Sequence, residues 1–489
     1  MGARAGRQKS GIGRLLCGLA AIASLAGAQT PDLQAVLERL DRLEAQNQEL
    51  MKEIRALREQ LASGATTGAT TAAAPGAAAQ PPSPSTVQGP DQPAAQGATG
   101  TPGGETAATV AENVAVQQHQ IAQLDQEKVS TDHRLPLSLT GMVLFNGYWT
   151  GSGAGGAANP TIAAEPSTPG QAAGGGTFRQ TVLGLKYDGP EIAGGGKITG
   201  SVYMDFFGGT GATLNQLLRL RVASIDAAWK YTTVTVALDK PIIAPREPDS
   251  LAQVGVSPLT SAGNLWLWQP QVRVEQRFAF GSQAGLRAQL GVYETSESGT
   301  GISSEYSSTL ESSRPGYEGR FELWAQSGES RRIEIAPGFH ISDTHVLGRS
   351  VPSQIFTLDW LIRPISRVDI TGAFFQGENV GVVGGLRQGV AIEGYGPPRA
   401  VPATGGWAQV TLRATPRLSF HIYGGQESDR PSYLQSGEIA RNLAYAGNVM
   451  YRFGSNVLGS FEASQVRTRF VDLGLRTFPH YDLGLAYLF

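Results

Sequence analysis

The chain of 489 residues contains a single cysteine, Cys17, so no disulfide can form within it. Only 16% of its residues are charged, and 39 basic against 41 acidic residues leave no basic excess for binding nucleic acid. No stretch holds the roughly 18 consecutive apolar residues that indicate a membrane-spanning helix. These absences exclude a disulfide-stapled domain, a nucleic-acid-binding protein and a helical membrane protein. Glycine and proline are abundant, with 63 and 28 residues.

Residues 1–28 have the three parts of an export signal. A basic segment precedes an apolar segment at 15–25 and a small-residue cleavage site at 26–28. The basic residues are Arg4, Arg7, Lys9 and Arg14. Leu16 precedes Cys17 where a lipoprotein signal would have a small residue, so no lipid anchor is expected. Cleavage would remove the cysteine together with the signal.

Residues 29–62 predict a coiled coil, because apolar residues alternate spacings of three and four over four heptads. The residues expected to join copies of the chain are Leu33, Leu40, Leu43, Asn47, Leu50, Ile54 and Leu57. The seam is narrow, which favours oligomerisation over the alternative of one helix packed on the chain's own downstream domain. Asn47 at an a position fixes the register and leaves the number of helices open.

Two segments separate this coiled coil from the main domain. Residues 63–106 are rich in Ala, Gly, Pro and Thr, and between 63 and 104 the only charge is Asp91. Such a segment cannot bury enough apolar surface to fold, so a disordered linker is predicted. Residues 107–134 resume a weaker helical pattern and predict a short helical segment.

From residue 135 the hydrophobic period changes to two. Val272 and Val274 alternate with Arg273 and Glu275, and the segments near 286, 333 and 418 repeat this alternation. Each strand therefore has one apolar and one polar face. A soluble sandwich with its apolar face inward and a membrane barrel with its apolar face outward give the same pattern.

The connection lengths favour the barrel. The strands are predicted near 136–150, 177–188, 196–207, 216–230, 232–239, 270–280, 284–295, 316–326, 329–342, 353–363, 366–376, 405–414, 417–425, 441–453, 456–466 and 478–489. Odd-numbered connections are mostly long, including 343–352 and 467–477, and even-numbered ones are mostly tight turns. Long loops on one rim and short turns on the other are typical of outer-membrane barrels. The sequence thus predicts an all-β fold, a 16-stranded antiparallel transmembrane barrel over 135–489.

The last predicted strand is apolar at every second position and ends on an aromatic residue. Its outward residues include Tyr481, Leu485, Tyr487 and Phe489. This ending resembles that of outer-membrane barrels, in which it is the signal for the barrel-insertion machinery. The resemblance implies a bacterial outer-membrane location, lipid around the barrel, and the preceding coiled coil in the periplasm.

Residues 136–489 resemble trimeric 16-stranded porins, and the coiled coil resembles the extension of dicarboxylate- and phosphate-selective porins. The resemblance implies a homotrimer whose third long loop folds inward and narrows the pore. That loop is 240–269 here, and its charged residues are Lys240, Arg246, Glu247 and Asp249. It lacks the Gly-Gly-Asp tip of enterobacterial general porins.

Basic residues on the expected lumen face suggest small anionic solutes, since a ladder of Arg and Lys selects anions. The ladder consists of Lys197, Arg219, Arg221, Arg273, Arg277 and Arg287. The alternative is a balanced, weakly selective lumen, which is supported by Asp205, Glu275, Glu318, Glu322, Glu334, Asp359 and Asp369. If Arg219 and Arg221 face the lumen, Asp226 would face lipid unless a β-bulge repairs the register.

The sequence therefore predicts a passive diffusion porin, with no catalytic residue, metal or cofactor. His340 and His345 form at most a weak metal pair, because no cysteine or clustered carboxylate joins them. The alternative function is an envelope tether, in which coiled coil and linker reach peptidoglycan and the barrel is an anchor. Deleting 29–105 should impair envelope integrity in a tether and leave conductance intact in a porin.

Overall fold

The computed structural model describes residues 129–130, 136–208 and 216–489, apart from 296, 298–301, 303, 312–313, 329, 387 and 395. The predicted signal, coiled coil and linker lie outside the described residues, so the homotrimer stays a prediction. Within the predicted helical segment 107–134 only Val129–Ser130 is described, and it is an extended strand paired with Ser138 and Leu139. Among the described residues, no helix is both long and apolar enough to cross a membrane.

Sixteen antiparallel strands of the described chain form a closed barrel. They are β1 (Leu137–Thr150), β2 (Val182–Ile192), β3 (Gly196–Gly208), β4 (Leu217–Ala228), β5 (Thr232–Asp239), β6 (Gln269–Ala279), β7 (Ala284–Glu294), β8 (Pro315–Ser327), β9 (Arg331–Val346), β10 (Arg349–Ile365), β11 (Val368–Glu378), β12 (Pro402–Arg413), β13 (Leu418–Asp429), β14 (Ile439–Arg452), β15 (Val457–Phe470) and β16 (Gly474–Leu488). Each strand pairs with its neighbours in sequence. The last strand, β16, returns to β1, with Met142 opposite Leu488 and Thr150 opposite His480.

Smaller elements lie in the long connections. A short strand, Ala173–Thr177, pairs with the end of β1 before β2 begins, and Val390–Ala391 pairs with Arg399–Ala400. Single 3-10 turns cover Ser152–Ala154, Ser304–Thr309, Val380–Val383 and Pro431–Tyr433.

The two faces of the sheet settle the orientation that periodicity left open. Val272 and Val274 are 49% and 44% exposed, whereas their neighbours Arg273 and Glu275 are buried. The same holds for Ile333 and Ile335 beside the buried Glu334. The apolar face is therefore outward and the polar face inward, the arrangement of a barrel in lipid. A sandwich, which buries its apolar face, is excluded.

Two of the predicted long loops are wrong. Strands β9 and β10 extend through 343–352 and leave Leu347-Gly348 as a two-residue turn, and 471–473 is all that separates β15 from β16. Leu347 and Gly348 have φ angles of 53° and 66°, as a type I′ hairpin turn requires. The first turn residue is a leucine, which rarely adopts this conformation. The turn therefore lacks the Asn-Gly or Asp-Gly pair by which such hairpins are usually recognised in a sequence.

The expected bulge in β4 is present. Leu220 pairs with Met204 and Val222 with Tyr203, so Arg221 is an extra residue opposite β3. Arg221 and Val222 are both buried. The residue count beyond the bulge then turns Asp226 inward, where its carboxylate accepts hydrogen bonds from Ser224 and Thr235 at 3.0 and 2.6 Å.

Three clusters of buried apolar residues lie between the barrel wall and the loop at 240–268, called the constriction loop below. Leu251 and Val254 pack with Met142, Leu144 and other residues near the β1–β16 seam. Leu259 and Ala262 pack against Trp407 and Tyr423, and Ile243 and Leu265 against Phe375 and Val383. These three clusters along the inner wall each fix part of the loop, and two further clusters, around Val346 and Val390 and around Leu386 and Phe470, contain no residue of it.

Candidate functional site: the lumen around the constriction loop

The constriction loop leaves β5, crosses the lumen and returns to β6. Asn448 on β14, eight strands from β6, donates a hydrogen bond to the Asp249 carbonyl at 2.8 Å. Asn146 on β1 donates to the Leu251 carbonyl at 2.8 Å, and Gln180 donates to the Ala252 carbonyl at 2.9 Å. Because these contacts extend from β1 to β14, which lies opposite the base of the loop, the loop narrows the passage rather than lining one side of it.

A cluster of ion pairs fixes the first half of the loop to β8, β9 and β10. The guanidinium of Arg246 contacts Asp359 at 3.0 Å and also pairs with Glu334 and Glu322. Arg320, which is fully buried, donates to Asp359 and Glu322 at 2.7 and 2.8 Å. Charge-assisted pairs of this kind are short and directional, so they hold Arg246 at one place on the wall.

The other charged loop residues are also bound. Lys240 pairs with Glu247 within the loop, and burial lowers the pKa of Lys240 while the Glu247 carboxylate opposes that shift. The Asp249 carboxylate lies 3.3 Å from His421 and accepts a hydrogen bond from Gln409 at 2.5 Å. All four loop residues singled out in the sequence therefore lie inside the barrel.

Four of the six predicted ladder residues line the lumen, and each has a carboxylate partner. Arg219 and Arg221 share Asp205 at 2.7 and 3.5 Å. Arg273 pairs with Asp239 at 3.0 Å, and Arg287 pairs with Glu322 at 2.7 Å. Asp205 and Glu322, two of the acidic residues that argued for a balanced lumen, are thus immediate partners of ladder arginines.

The remaining two ladder residues lie near the short-turn rim. Lys197 is exposed and pairs with Asp188 at 3.3 Å, two residues from the 193–195 turn. Arg277 is largely exposed and pairs with Glu275 at 2.6 Å. Neither residue touches the constriction loop through a hydrogen bond or ion pair found in the described part of the chain.

Other arginines on the inner wall were missed by the sequence reasoning. Arg332 pairs with Glu334, and Arg363 and Arg413 both pair with Asp369. These residues sit at the ends of β9, β10 and β12 next to the short turns. These residues lie near the ends of predicted strands, where it is least certain which face of the sheet a side chain occupies. Their inward orientation could therefore not be recognised from the sequence.

The paired charges are unequally placed with respect to water. The Arg219 side chain is 28% exposed and Asp205 is fully buried, while Arg363 is 29% exposed and its partner Asp369 only 7%. Arg277 and Arg332 are likewise more exposed than their partners. The fully buried Arg320 lacks this order, and in the exposed pairs of Lys197, Arg314 and Arg399 the carboxylate is at least as exposed as the cation. The inner wall therefore presents guanidinium groups to the lumen and holds the carboxylates behind them.

The histidine pair considered as a metal site is split by the strand. His340 faces inward, where Tyr293, Glu318 and Ser342 bind it at 2.7, 3.0 and 3.0 Å. His345 is five residues further along β9, and an odd separation on a strand places two side chains on opposite faces. No group of three metal-ligating side chains occurs among the described residues.

The C-terminal residues close the seam. Tyr481, Leu485 and Tyr487 are 42%, 52% and 53% exposed on the outer face of β16. Phe489 exchanges two backbone hydrogen bonds with Gly141, at 2.8 and 3.1 Å. The residues proposed as an insertion signal thus form an exposed apolar row at the junction of β16 and β1.

A closed 16-stranded barrel with an apolar exterior and an inward loop is the fold of the outer-membrane porins. The outer membrane channel DcaP of Acinetobacter baumannii has the same fold: it is 15% identical, with a TM-score of 0.57, over 72% of this chain and 97% of that one. The anion-selective porin from Comamonas acidovorans is 11% identical, with a TM-score of 0.48, over 72% of this chain and 99% of that one. No protein-family model matches the chain. No curated protein matches its sequence.

Proposed function

We propose that this protein is an outer-membrane diffusion channel for small hydrophilic solutes and that it prefers anions. The closed barrel, its apolar exterior and its polar interior support the channel. The protein from Acinetobacter that shares the fold is itself an outer membrane channel. Residues 246–249 and their wall contacts form the narrow zone that every solute must pass.

The unequal exposure of the ion pairs carries the anion preference. Equal numbers of charges cancel at a distance, but a passing ion responds most to the nearest charge, because Coulomb energy falls with separation. Arg219, Arg363 and Arg413 are the water-facing members of their pairs. Anions therefore meet guanidinium groups first, and cations are kept from carboxylates that lie deeper in the wall.

The test is the reversal potential of the purified channel in a planar bilayer across a tenfold KCl gradient. We expect a sign corresponding to a higher permeability for chloride than for potassium. A sign corresponding to cation selectivity would refute the anion preference but would leave the proposed channel function standing. Absence of any conductance would refute the channel itself.

A matched pair of substitutions isolates the exposed guanidinium. Arg413→Gln removes one water-facing cation, and Asp369→Asn removes the carboxylate that it shares with Arg363. A unit charge about 10 Å away in water changes the energy of a monovalent ion by about 0.4 kcal/mol, with opposite sign for chloride and potassium, so their permeability ratio changes about fourfold. The first variant should lower and the second raise the chloride preference by about this factor. Identical shifts in both variants would contradict the proposal.

A further inference from the structure

Three arginines and two aromatic rings form a cluster on the inner wall, beside residues 253–255 of the constriction loop. The Arg179 guanidinium lies 4.4 Å from the centre of the Phe207 ring, and Arg219 lies 5.3 Å from the same ring. Arg219 and Arg221 each lie 5.0 Å from the Trp268 ring. Arg179 was not part of the predicted ladder; it lies within the predicted strand 177–188, and the structure places it between the short strand Ala173–Thr177 and β2.

The positive charge of this cluster exceeds its negative charge. Asp205 is bound by both Arg219 and Arg221, and Glu247 is bound by Lys240. No ion pair joins Arg179 to a carboxylate within the described residues. Two guanidinium charges therefore remain without a counter-ion in a buried wall, where an uncompensated charge is costly.

Several donors here lack acceptors. Among the described residues, Nε of Arg179, Nη1 of Arg221 and Nε1 of Trp268 are buried and have no hydrogen-bond partner. Arg179 is 8% exposed and Arg221 is 3% exposed, so bulk water reaches little of either. All three groups can only donate, and a buried donor left without an acceptor costs about 1–3 kcal/mol.

The aromatic rings explain how the donors stay available. An aromatic ring stacked on a guanidinium covers the planar face of the guanidinium. The N–H groups point outward from the edge of that plane and remain able to donate hydrogen bonds. Phe207 is itself fixed: its N–H donates to Asp205 at 2.9 Å, and a Cβ on Gly255 would come within 2.3 Å of its ring. The rings thus orient the arginines without consuming their hydrogen bonds.

We propose that Arg179, Arg219, Arg221 and Trp268 form a binding site for an oxyanion, a carboxylate or phosphate group, beside the constriction loop. The inference rests on the proposed channel function and adds a discrete solute-binding site along the pore. An oxyanion supplies acceptors and negative charge together, which is what this cluster lacks. Solutes that carry such a group would be held briefly, so their transport would saturate, whereas chloride flux would rise steadily with concentration.

The test measures the affinities of inorganic phosphate and of acetate for the full-length protein in detergent. Calorimetry at constant ionic strength gives these affinities, with chloride as the reference anion. Arg179→Gln should weaken phosphate binding about tenfold, the equivalent of one charge-assisted hydrogen bond. Arg179→Lys should lose most of the same affinity, because an ammonium keeps the charge and loses the planar fork. Trp268→Phe should weaken binding severalfold by removing one donor while it keeps the ring. Comparing the affinities of phosphate and acetate shows whether the site binds phosphate groups or carboxylate groups.

Arg467→Gln is the matched control, since Arg467 is exposed on the outward face of β15. The site would be refuted if neither oxyanion binds more tightly than chloride, or if Arg179→Gln and Arg467→Gln behave alike. Retained affinity in Arg179→Lys would reduce the cluster to simple electrostatic attraction and would also overturn the site. The reversal potential of each variant separates these failures from failure of the channel, because a channel without the site would still conduct and still prefer chloride.

Discussion

Replacing residues 241–267 with a Gly-Gly link is expected to raise the single-channel conductance severalfold. Asp239 and Gln269 are paired partners at the ends of β5 and β6, so a short link can close the hairpin without straining the barrel. The deletion removes the backbone that crosses the lumen, and the wall groups that held it, such as Asn146 and Asn448, become hydrated. The measurement is the conductance of the wild-type and shortened channels in planar bilayers at the same salt concentration.

The matched control for this deletion is the exposed loop between β13 and β14. Shortening 431–437 removes rim residues that lie away from the constriction loop and should leave the conductance unchanged. An unchanged conductance in the 241–267 variant, with the barrel intact by circular dichroism, would show that this loop does not set the cross-section. Arg246→Gln should fall between the two, because it removes the ionic attachment to Glu334 and Asp359 and retains the loop.

Arg320→Met is expected to destabilise the barrel by about 3 kcal/mol, the lower end of the cost of breaking a buried ion pair. Arg320 is fully buried and binds Asp359, Glu322 and Gln289. Its loss leaves two buried carboxylates whose remaining cationic partners, in the part of the chain that the structure describes, are Arg246 and Arg287. The free energy of unfolding, from reversible urea titration in lipid vesicles followed by tryptophan fluorescence, measures the effect.

Two further variants distinguish charge burial from lost packing. Adding Asp359→Asn to Arg320→Met should recover part of the loss, because one of the unpaired carboxylates is then neutral. Lys197→Met breaks an exposed ion pair with Asp188 and should change stability by less than about 1 kcal/mol. Equal losses in Arg320→Met and Lys197→Met would show that the buried cluster contributes no more than an ordinary surface pair.

Much of the barrel follows from local pattern. The predicted strand 232–239 coincides with β5, and the other strand edges differ by a few residues, as between 270–280 and β6. Alternation of apolar and polar residues persists because lipid contacts every second residue along a strand. The pattern failed where local chemistry was atypical, as at Leu347-Gly348, or where a loop rejoined the barrel from within.

Inward loops illustrate that failure. The connection 377–404 was predicted as one of the long loops, and the structure buries Val382 and Val383 within it against Ile355 and Phe375. The Val383 carbonyl accepts hydrogen bonds from Trp266 and Leu267 of the constriction loop at 3.2 and 3.3 Å. These contacts join segments more than a hundred residues apart, and no local periodicity encodes such a pairing.

The sequence by itself determined the strands, their number, the alternation of an apolar and a polar face, and the place of Arg219, Arg221, Arg273 and Arg287 on the polar face, because each depends on residue type and spacing along one strand. Only the tertiary structure decided which face meets lipid, how the bulge at Arg221 restores Asp226 to the lumen, and which carboxylate each arginine binds. Those outcomes depend on registers between strands and on a loop that crosses the barrel. The same distinction explains Arg179, whose charge is visible in the sequence and whose neighbours are supplied by closure of the barrel.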